Sequence, residues 1–256
     1  MKTIAISGKG GTGKSTIAAL IIRWLKDQEL GPILAVDADP NVNLNDLLGI
    51  RIEETVGAIR EEMKKSAHNL PGGMTKQEFL EYKIHASLRE TRDFDLIAMG
   101  RPEGPGCYCY ANNLLRDILK TLSNNYKRVV IDNEAGMEHL SRRTTQRIDN
   151  LLLVSDPSAR SIRAAARISK ILKELDTRVG EKLFVLNRVK EHIPDILEKV
   201  IDEEGLHLLS SIPEDDTLLQ MDQSGKPIWK IAEDSPAYQA VHQMMHKLMK
   251  REKNGV

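Results

Sequence analysis

The residues best suited to chemistry in this sequence form a glycine-rich loop near its start. Gly8, Gly13, Lys14 and Ser15 have the spacing G-x-x-x-x-G-K-[ST], whose backbone N–H groups point inward and cradle a triphosphate. Lys14 would pair with the β- and γ-phosphates, and Ser15 would hold Mg²⁺. The alternative is a glycine-rich turn with a solvated lysine. The whole candidate loop comprises Gly8, Lys9, Gly10, Gly11, Thr12, Gly13, Lys14, Ser15 and Thr16.

Apolar runs on either side of the loop predict the elements that position it. Residues 3–6 predict a buried strand, and residues 17–25 predict a helix whose N-terminus adds positive partial charge at the loop. Strand–helix–strand units with right-handed crossovers give parallel pairing. We therefore predict an α/β fold, a doubly wound and mostly parallel sheet flanked by helices, in one domain over residues 1–256. Further strands are predicted at 33–36, 94–99, 128–131, 151–154, 182–186 and 207–210, and further helices at 44–48, within 51–92, and at 112–122, 161–175 and 194–204.

Composition excludes several classes of protein. The 256 residues carry 37 basic and 37 acidic side chains, so the net charge argues against binding to nucleic acid or a membrane surface through overall charge. No apolar run approaches the ~18 residues of a membrane span, and no signal-peptide pattern occurs. We expect a cytoplasmic protein without stable membrane association or a nucleic-acid partner.

Acidic residues follow two of the predicted strands. Asp37 and Asp39 come directly after the second strand, and Asp132 ends the fourth. The carboxyl ends of parallel strands form the edge at which α/β sheets bind ligands. An apolar strand that ends in aspartate is the expected second Mg²⁺ anchor, so we predict that Asp132 holds Mg²⁺ through water. For Asp37 and Asp39 the alternative is an Asx turn that caps the short helix at 44–48.

Cys107 and Cys109 are the only two cysteines, and they lie two residues apart in a Gly/Pro-rich loop. This spacing strains a disulfide. As thiolates the two could share a metal ion, yet two ligands are half of the four that Zn²⁺ or square-planar Ni²⁺ takes. A homodimer would supply four, so we predict a metal ion bridging two subunits. The alternative is a pair of small, half-buried residues.

The loop from Lys9 to Thr16 resembles the deviant phosphate loop of the dimeric ATPases typified by nitrogenase iron protein, the septum-site positioning ATPases and the plasmid partition ATPases. In that group the extra lysine, here Lys9, reaches the partner's ATP phosphates. The resemblance implies a nucleotide-dependent homodimer that hydrolyses ATP to ADP and phosphate.

The same resemblance implies roles for residues elsewhere in the chain. Asp39 would orient the attacking water, while Asp37 and Asn43 would lie in the first switch and residues 132–139 would form the second. The adenine would be held by Asn187, Arg188, Pro213 and Glu214.

Together with the loop, residues 100–110 and 132–139 resemble the CooC-type nickel-insertion ATPases that mature carbon monoxide dehydrogenase. This resemblance implies that Cys107 and Cys109 carry Ni²⁺, for which Zn²⁺ may substitute. The ion would be delivered to apo carbon monoxide dehydrogenase or to an acetyl-CoA synthase complex.

Two other functions are compatible with the sequence. A redox ATPase like nitrogenase iron protein would hold an iron–sulfur cluster on four cysteines of its dimer. A partition- or septum-positioning-type ATPase would contact DNA or a membrane surface through a cationic helix. Its candidate residues are Arg160, Arg163, Arg167, Lys170 and Lys173.

The C-terminal segment predicts a last helix, because Ser235 followed by Pro236 is an N-cap with proline at the first helical position. Packing of this helix on the sheet is favoured over binding to lipid. His242 and His246 share one of its faces at i, i+4, as metal-binding histidines do, but the sequence offers no third ligand nearby.

Overall fold

The computed structural model describes residues 2–65, 73–101, 119, 122–134, 148–174 and 179–253. The strands in these residues are β1 (Thr3–Gly8), β2 (Ile33–Ala38), β3 (Arg89–Glu90), β4 (Asp95–Ala98), β5 (Arg128–Asn133), β6 (Ile148–Ser155), β7 (Val179–Val189) and β8 (Leu208–Pro213). They form one sheet in the order β3-β4-β2-β5-β1-β6-β7-β8. Only the β3–β4 pair is antiparallel among these strands. The predicted mostly parallel α/β fold is therefore confirmed.

Helices connect most of the strands and cover the sheet. They are α1 (Lys14–Asp27), α2 (Leu44–Leu48), α3 (Val56–Lys65), α4 (Lys76–Ser87), α5 (Ala159–Glu174), α6 (Asp195–Glu203), α7 (Asp216–Gln223) and α8 (Pro236–Lys253). Short 3₁₀ turns lie at Ser123–Asn125 and Ile228–Lys230. No helix in the described part of the chain is long and apolar enough to cross a bilayer.

The sequence predicted most of these elements to within a few residues. It missed β3, which is a pair of exposed residues without an apolar pattern, and α7. The predicted helix at 112–122 lies largely outside the described residues. The N-cap of α8 is confirmed, because the Ser235 hydroxyl accepts a hydrogen bond from the Tyr238 N–H at 3.2 Å.

Apolar side chains cover both faces of the sheet. Successive residues of β1 alternate between two core clusters, with Ile4 and Ile6 in one and Ala5 in the other. The first cluster includes residues of α1 and α8, and the second includes residues of α5. The central strands, buried on both faces, place Gly8, Asp37 and Asp132 at or near their carboxyl ends. We therefore expect ligand chemistry at that edge of the sheet.

Strand register brings the polar ends together. Asp37 at the end of β2 lies beside Asp132 at the end of β5. Gly8, at the end of β1, lies beside Val154 of β6. The β7–β8 ladder has a register shift between Leu186 and Val189, so the end of β7 departs from regular pleating. The carboxyl ends of β2, β5, β1 and β7 thus surround the loop between β1 and α1.

Candidate functional site

The glycine loop approaches neighbouring strands too closely to accept side chains. A Cβ on Gly8 would lie 2.1 Å from the Val154 carbonyl oxygen. Gly13 has φ 85°, and a Cβ there would lie 2.3 Å from Nδ2 of Asn187. Glycine at these two positions therefore lets the loop fold tightly between β1, β6 and β7.

Lys14 lies inside this loop and is almost buried. Its Nζ donates a hydrogen bond to the Lys9 carbonyl at 3.3 Å, and the Thr12 hydroxyl donates to the same oxygen at 2.9 Å. Burial lowers the pKa of Lys14, while the nearby carboxylates of Asp132, Asp39 and Glu134 act in the opposite direction. A phosphate group could replace the long Lys14 hydrogen bond with one in which the acceptor is also charged. Lys9 itself is exposed.

Asp37 organises the segment that follows β2. Its buried carboxylate accepts hydrogen bonds from three backbone N–H groups, those of Asp39 at 3.0 Å and of Asn43 and Leu44 at 2.9 Å each. Burial raises the pKa of Asp37 to about 6, although the three hydrogen bonds favour the charged form. The carboxylate is thus used to close the loop and to cap α2. This is the helix-capping alternative that the sequence left open for Asp37.

Asp39 is half-buried and lines the space above the glycine loop. Its Oδ1 accepts hydrogen bonds from the Asn41 backbone N–H at 2.8 Å and from the Asn41 side chain at 3.0 Å. The Asn43 backbone N–H donates a hydrogen bond to Asp37. Asn43 is exposed and lines the same space. Asp39 therefore faces the candidate phosphate site, whereas Asp37 lies beneath it.

Asp132 is 1% exposed, and its surroundings suit a hydrated cation. The Ser15 hydroxyl forms a hydrogen bond to its carboxylate. Oδ1 has no hydrogen-bond partner among the described residues. Burial raises the pKa of Asp132 to about 7, and the neighbouring Asp37 and Asp39 add to the rise. A buried carboxylate oxygen without a partner, next to a hydroxyl, fits the oxygen donors that Mg²⁺ takes directly or through water.

Two adjoining cavities lie over the sheet edge. The larger, about 570 Å³, extends over the glycine loop and contains Lys14, Ser15 and Asp39. The smaller, about 200 Å³, brings together the four predicted adenine residues. Both cavities are lined by Thr16, Arg188 and Asp222, so they lie next to each other. Their arrangement accommodates a phosphate chain in one and a base in the other. The four predicted adenine residues that line the smaller cavity are Asn187, Arg188, Pro213 and Glu214.

Asn187 and Arg188 also brace the glycine loop. Asn187 Nδ2 donates to the Thr12 carbonyl at 2.8 Å, and the Arg188 guanidinium donates to the Gly11 carbonyl at 3.0 Å. Arg188 has φ 60°, which is unusual for a residue with a side chain. The register shift and this backbone conformation allow two successive residues of β7 to contact the same loop. The end of β7 therefore shapes both the base and the phosphate regions.

Sequence reasoning missed Asp215, which joins the N-termini of two helices. Its Oδ1 accepts from the N–H groups of Thr217 at 2.9 Å and Leu218 at 3.1 Å in α7. Its Oδ2 accepts from the Ser235 hydroxyl at 2.6 Å and the Ala237 N–H at 3.1 Å at the start of α8. These hydrogen bonds lower the pKa of Asp215 despite partial burial. An aspartate before Asp-Thr-Leu signals an N-cap, but its link to a helix 20 residues away has no local signal.

Two predicted regions lie outside the described residues. They are the segment with Cys107 and Cys109, and residues 135–139 of the predicted second switch. In the rest of the chain, as far as it is described, no three His, Cys, Asp or Glu side chains are grouped so as to hold a metal ion. The shared metal site stays a prediction.

Similarity to known proteins agrees with the geometry. The sequence model of the CobQ/CobB/MinD/ParA nucleotide binding domain matches residues 3–228. An uncharacterized ATP-binding protein of Methanocaldococcus jannaschii is 42% identical over 250 residues, which are 97% of this chain and 98% of the relative. The carbon monoxide dehydrogenase accessory protein CooC of Rhodospirillum rubrum is 30% identical over 261 residues, with 97% of this chain and 96% of the relative covered.

Solved structures match along almost the whole chain. A ParA family ATPase from Chlorobium tepidum has a TM-score of 0.72 at 23% identity, covering 96% of this chain and 98% of that one. MinD of Pyrococcus horikoshii, in complex with Mg-ADP, has a TM-score of 0.68 at 23% identity, covering 97% and 96%. At this level of identity the likeness establishes a shared fold.

Proposed function

Because the chain belongs to the CobQ/CobB/MinD/ParA nucleotide-binding family and is a P-loop ATPase, we propose that it is an ATP-dependent metallochaperone. It acts as a homodimer that carries Ni²⁺ to apo carbon monoxide dehydrogenase or to an acetyl-CoA synthase complex. The observation that carries this proposal is the 30% identity to the CooC accessory protein along 97% of the chain. The Cys107-x-Cys109 pair in the sequence supplies the ligands for the cargo ion.

Nucleotide binding uses groups that surround the glycine loop. Loop N–H groups and the Lys14 ammonium bind the phosphates, and the smaller cavity beside Asn187 and Pro213 takes the base. The residues that would hold Mg²⁺ are Ser15 directly and Asp132 through water. When bound, Mg²⁺ neutralises charge on the phosphates. Asp132 must be ionised for this role, and its raised pKa makes binding sensitive to pH.

Hydrolysis depends on positioning, since phosphoryl transfer requires little covalent chemistry from the protein. The Asp39 carboxylate faces the larger cavity and accepts a hydrogen bond from the attacking water, which aligns it with the γ-phosphate. Exposed Lys9 reaches the phosphates of the partner subunit. Its ammonium places positive charge where negative charge develops on the transferring phosphoryl group.

Cargo binding and dimerisation are linked in this proposal. Two thiolates from each subunit complete four-coordinate binding only when the subunits face each other. Metal affinity and dimer affinity must then strengthen each other by the same factor. Thiolates form by losing protons, so binding releases protons and weakens at low pH.

The test is a titration of Ni²⁺ into anaerobic wild-type protein and into Cys107→Ser, with mass followed by light scattering. We expect one ion per wild-type dimer, loss of tight binding in the variant, and unchanged ATP binding in both. Tyr108→Phe is the matched control, because it alters the same segment without removing a thiol. One ion per monomer, or undiminished binding by Cys107→Ser, would overturn the shared site.

The client is tested separately with purified apoenzymes. Nickel-loaded protein and ATP should activate apo carbon monoxide dehydrogenase or apo acetyl-CoA synthase faster than free Ni²⁺ at the same concentration. Cys107→Ser should give no acceleration. Equal activation by the variant would show that delivery does not use the cysteines.

A second candidate function rests on α5. Arg160, Arg163, Arg167 and Lys170 are exposed at helical spacing on this helix, as a DNA- or membrane-positioning ATPase would require. Glu204 contacts Lys170 at 2.9 Å and Arg163 at 4.0 Å, which reduces the charge that this surface offers. The Lys173 side chain lies outside the described residues. Salt-sensitive DNA binding, or ATP-dependent sedimentation with anionic liposomes, that is lost in Arg167→Glu would favour this candidate.

A further inference from the structure

Two histidines and a tryptophan form a cluster between α8 and α1. The rings of His242 and His246 have centroids 4.5 Å apart with an interplanar angle of 66°. Trp24 of α1 lies against both rings, with centroid distances of 6.3 Å to His242 and 5.4 Å to His246. Trp24 is 2% exposed, whereas His242 is half-buried and His246 is exposed. The indole therefore backs the two imidazoles on the protein side, and solvent reaches them from the other side.

The spacing of the two rings suits one shared ion. A Zn²⁺ ion binds an imidazole nitrogen at about 2.0–2.1 Å, so two nitrogens that share it lie roughly 3–4 Å apart. Rings with centres 4.5 Å apart can present nitrogens at that separation. Residues four apart on a helix keep this relation without any loop movement. The helix thus holds the pair in place before an ion arrives.

The surroundings of His246 favour its neutral form and also limit how strongly the site binds a cation. Burial against the helix lowers the pKa of His246, and the neighbouring His242 and Lys250 add to the effect. A neutral ring has a lone pair for a metal, whereas an imidazolium has none. The Lys250 ammonium also repels a bound cation, so binding is weaker than at a thiolate site.

We propose that His242 and His246 form a two-imidazole site for a borderline divalent cation such as Ni²⁺, Cu²⁺ or Zn²⁺, with water completing the coordination. The site uses residues other than the cysteine pair, and neither nucleotide cavity is lined by these two histidines. Imidazole suits these ions, whereas Mg²⁺ prefers oxygen ligands. Two neutral donors bind a cation reversibly, so the bound ion can exchange with ions in solution.

Trp24 supplies a local probe for this site. Trp229 is the only other tryptophan, so Trp229→Phe leaves Trp24 as the sole indole, and Cys107→Ser with Cys109→Ser removes the thiols. Ni²⁺ titrated into this background at pH 7.5 should quench Trp24 fluorescence saturably, and Mg²⁺ should not. His246→Gln should weaken quenching by about tenfold or more, because one of two ligands is lost. His192→Gln, a matched change at an exposed histidine elsewhere, should have no effect.

Two measurements keep the test independent of the triple-substituted background. Calorimetry with Cu²⁺ on the otherwise wild-type chain should lose one ion per subunit in His246→Gln, and electron paramagnetic resonance should show two nitrogen ligands. Binding to the wild-type site should weaken as the pH falls, because protonation of an imidazole removes the lone pair that binds the ion. Quenching that does not saturate, or that is unchanged in His246→Gln, would overturn the proposal. These outcomes do not depend on whether the cysteines carry nickel.

Discussion

The two sides of the nucleotide site hold their carboxylates in opposite ways. On the side of β2 and β5, Asp37 and Asp132 are buried, and their pKa values are raised to about 6 and about 7. On the side of β7 and β8, Asp215 accepts four hydrogen bonds from the chain itself, and its pKa is lowered. We refer to these as the switch side and the base side.

We infer from this difference that the switch side responds to the ligand, whereas the base side supports the structure of the site. Burial disfavours the negative charge of Asp132, so a Mg²⁺-bound nucleotide can change the protonation and the contacts of this carboxyl group. The base side is satisfied without a ligand and can be built in advance. Substitutions of Asp39 or Asp132 should therefore change chemistry with little effect on folding, and Asp215 should show the reverse.

The largest effect is expected from Lys14→Ala, which removes the cation inside the phosphate loop. A cation on a transferring phosphoryl group can be worth a factor on the order of 10³ in turnover, and ATP affinity should also fall. Stopped-flow binding of a fluorescent ATP analogue and phosphate release measure the two effects. Lys26→Ala, at the far end of the same helix, is the control and should behave as wild type.

Lys9 allows a sharper test of which subunit supplies each lysine. Lys9→Ala should retain ATP binding but lose dimer tightening and hydrolysis. Dimers mixed from Lys9→Ala and Lys14→Ala subunits should recover about one working site of two, if Lys9 acts in trans. No recovery in the mixture would place both lysines in the same site.

Asp39→Asn should lower hydrolysis by a factor on the order of 10² while Mg·ATP binding persists, because the water loses its orienting carboxylate. The expected product is a stable ATP-bound dimer, detected by light scattering. Asp46→Asn, on the exposed side of α2 and also at the larger cavity, is the matched control. Unchanged turnover in Asp39→Asn would reduce Asp39 to a loop residue and break the proposed contrast between the two sides.

Local patterns in the sequence indicate the glycine loop and the switch side, whereas the base-side residues were predicted from the family resemblance. Gly13 and Lys14 lie in a spaced glycine loop, and Asp132 ends an apolar strand. The base side depends on contacts between distant residues, such as Asp215 with Ser235, and on the left-handed backbone of Arg188. Neither feature can be recognised in a short stretch of sequence. The fold could be predicted because the apolar runs that form strands, and the glycines that interrupt them, are visible in short stretches.

The sequence also could not decide what each predicted residue contacts. Asp37 was predicted both as a switch residue and as a possible helix cap, and only the three backbone hydrogen bonds show its use in the loop. Strand β6 begins earlier than predicted, because the polar residue Asn150 interrupts the apolar pattern while remaining buried, and β7 also begins earlier. Tertiary contacts override local preference at such positions.

A smaller effect should appear in the pH dependence of magnesium-nucleotide binding. Asp132 has a pKa of about 7 without the ion, and Mg²⁺ favours its charged form, so binding below pH 7 must release a proton. Affinity should fall by up to about tenfold per pH unit below 7 and be constant above it. Calorimetry of Mg·ADP binding in buffers of different ionisation enthalpy measures the released proton, which Asp132→Asn should abolish.

The pH dependence of unfolding of the ligand-free protein is a separate test of the direction of the Asp132 pKa shift. Folding raises the pKa of Asp37 and Asp132 from an ordinary value of 3.8, so the folded state binds protons more tightly than the unfolded state. Their contribution to stability is full below pH 3.8 and is lost as pH rises through 6 to 7. The decline should be smaller in Asp132→Asn. An equal decline in both proteins would assign the titration to other groups.

The smallest effect on turnover is expected from Asp215→Asn on the base side. An amide keeps one acceptor oxygen but turns an NH₂ group toward donors, so the N-terminus of either α7 or α8 loses its cap. We expect a loss of about 1–2 kcal/mol in unfolding free energy, a few-fold rise in the KM for ATP and a kcat within about twofold of wild type. Asp216→Asn, the exposed neighbour, is the matched control in thermal melts and steady-state assays. If Asp215→Asn instead melted like wild type and lost turnover, the base side would take part in the chemistry. The proposed contrast between a responsive switch side and a structural base side would then be wrong.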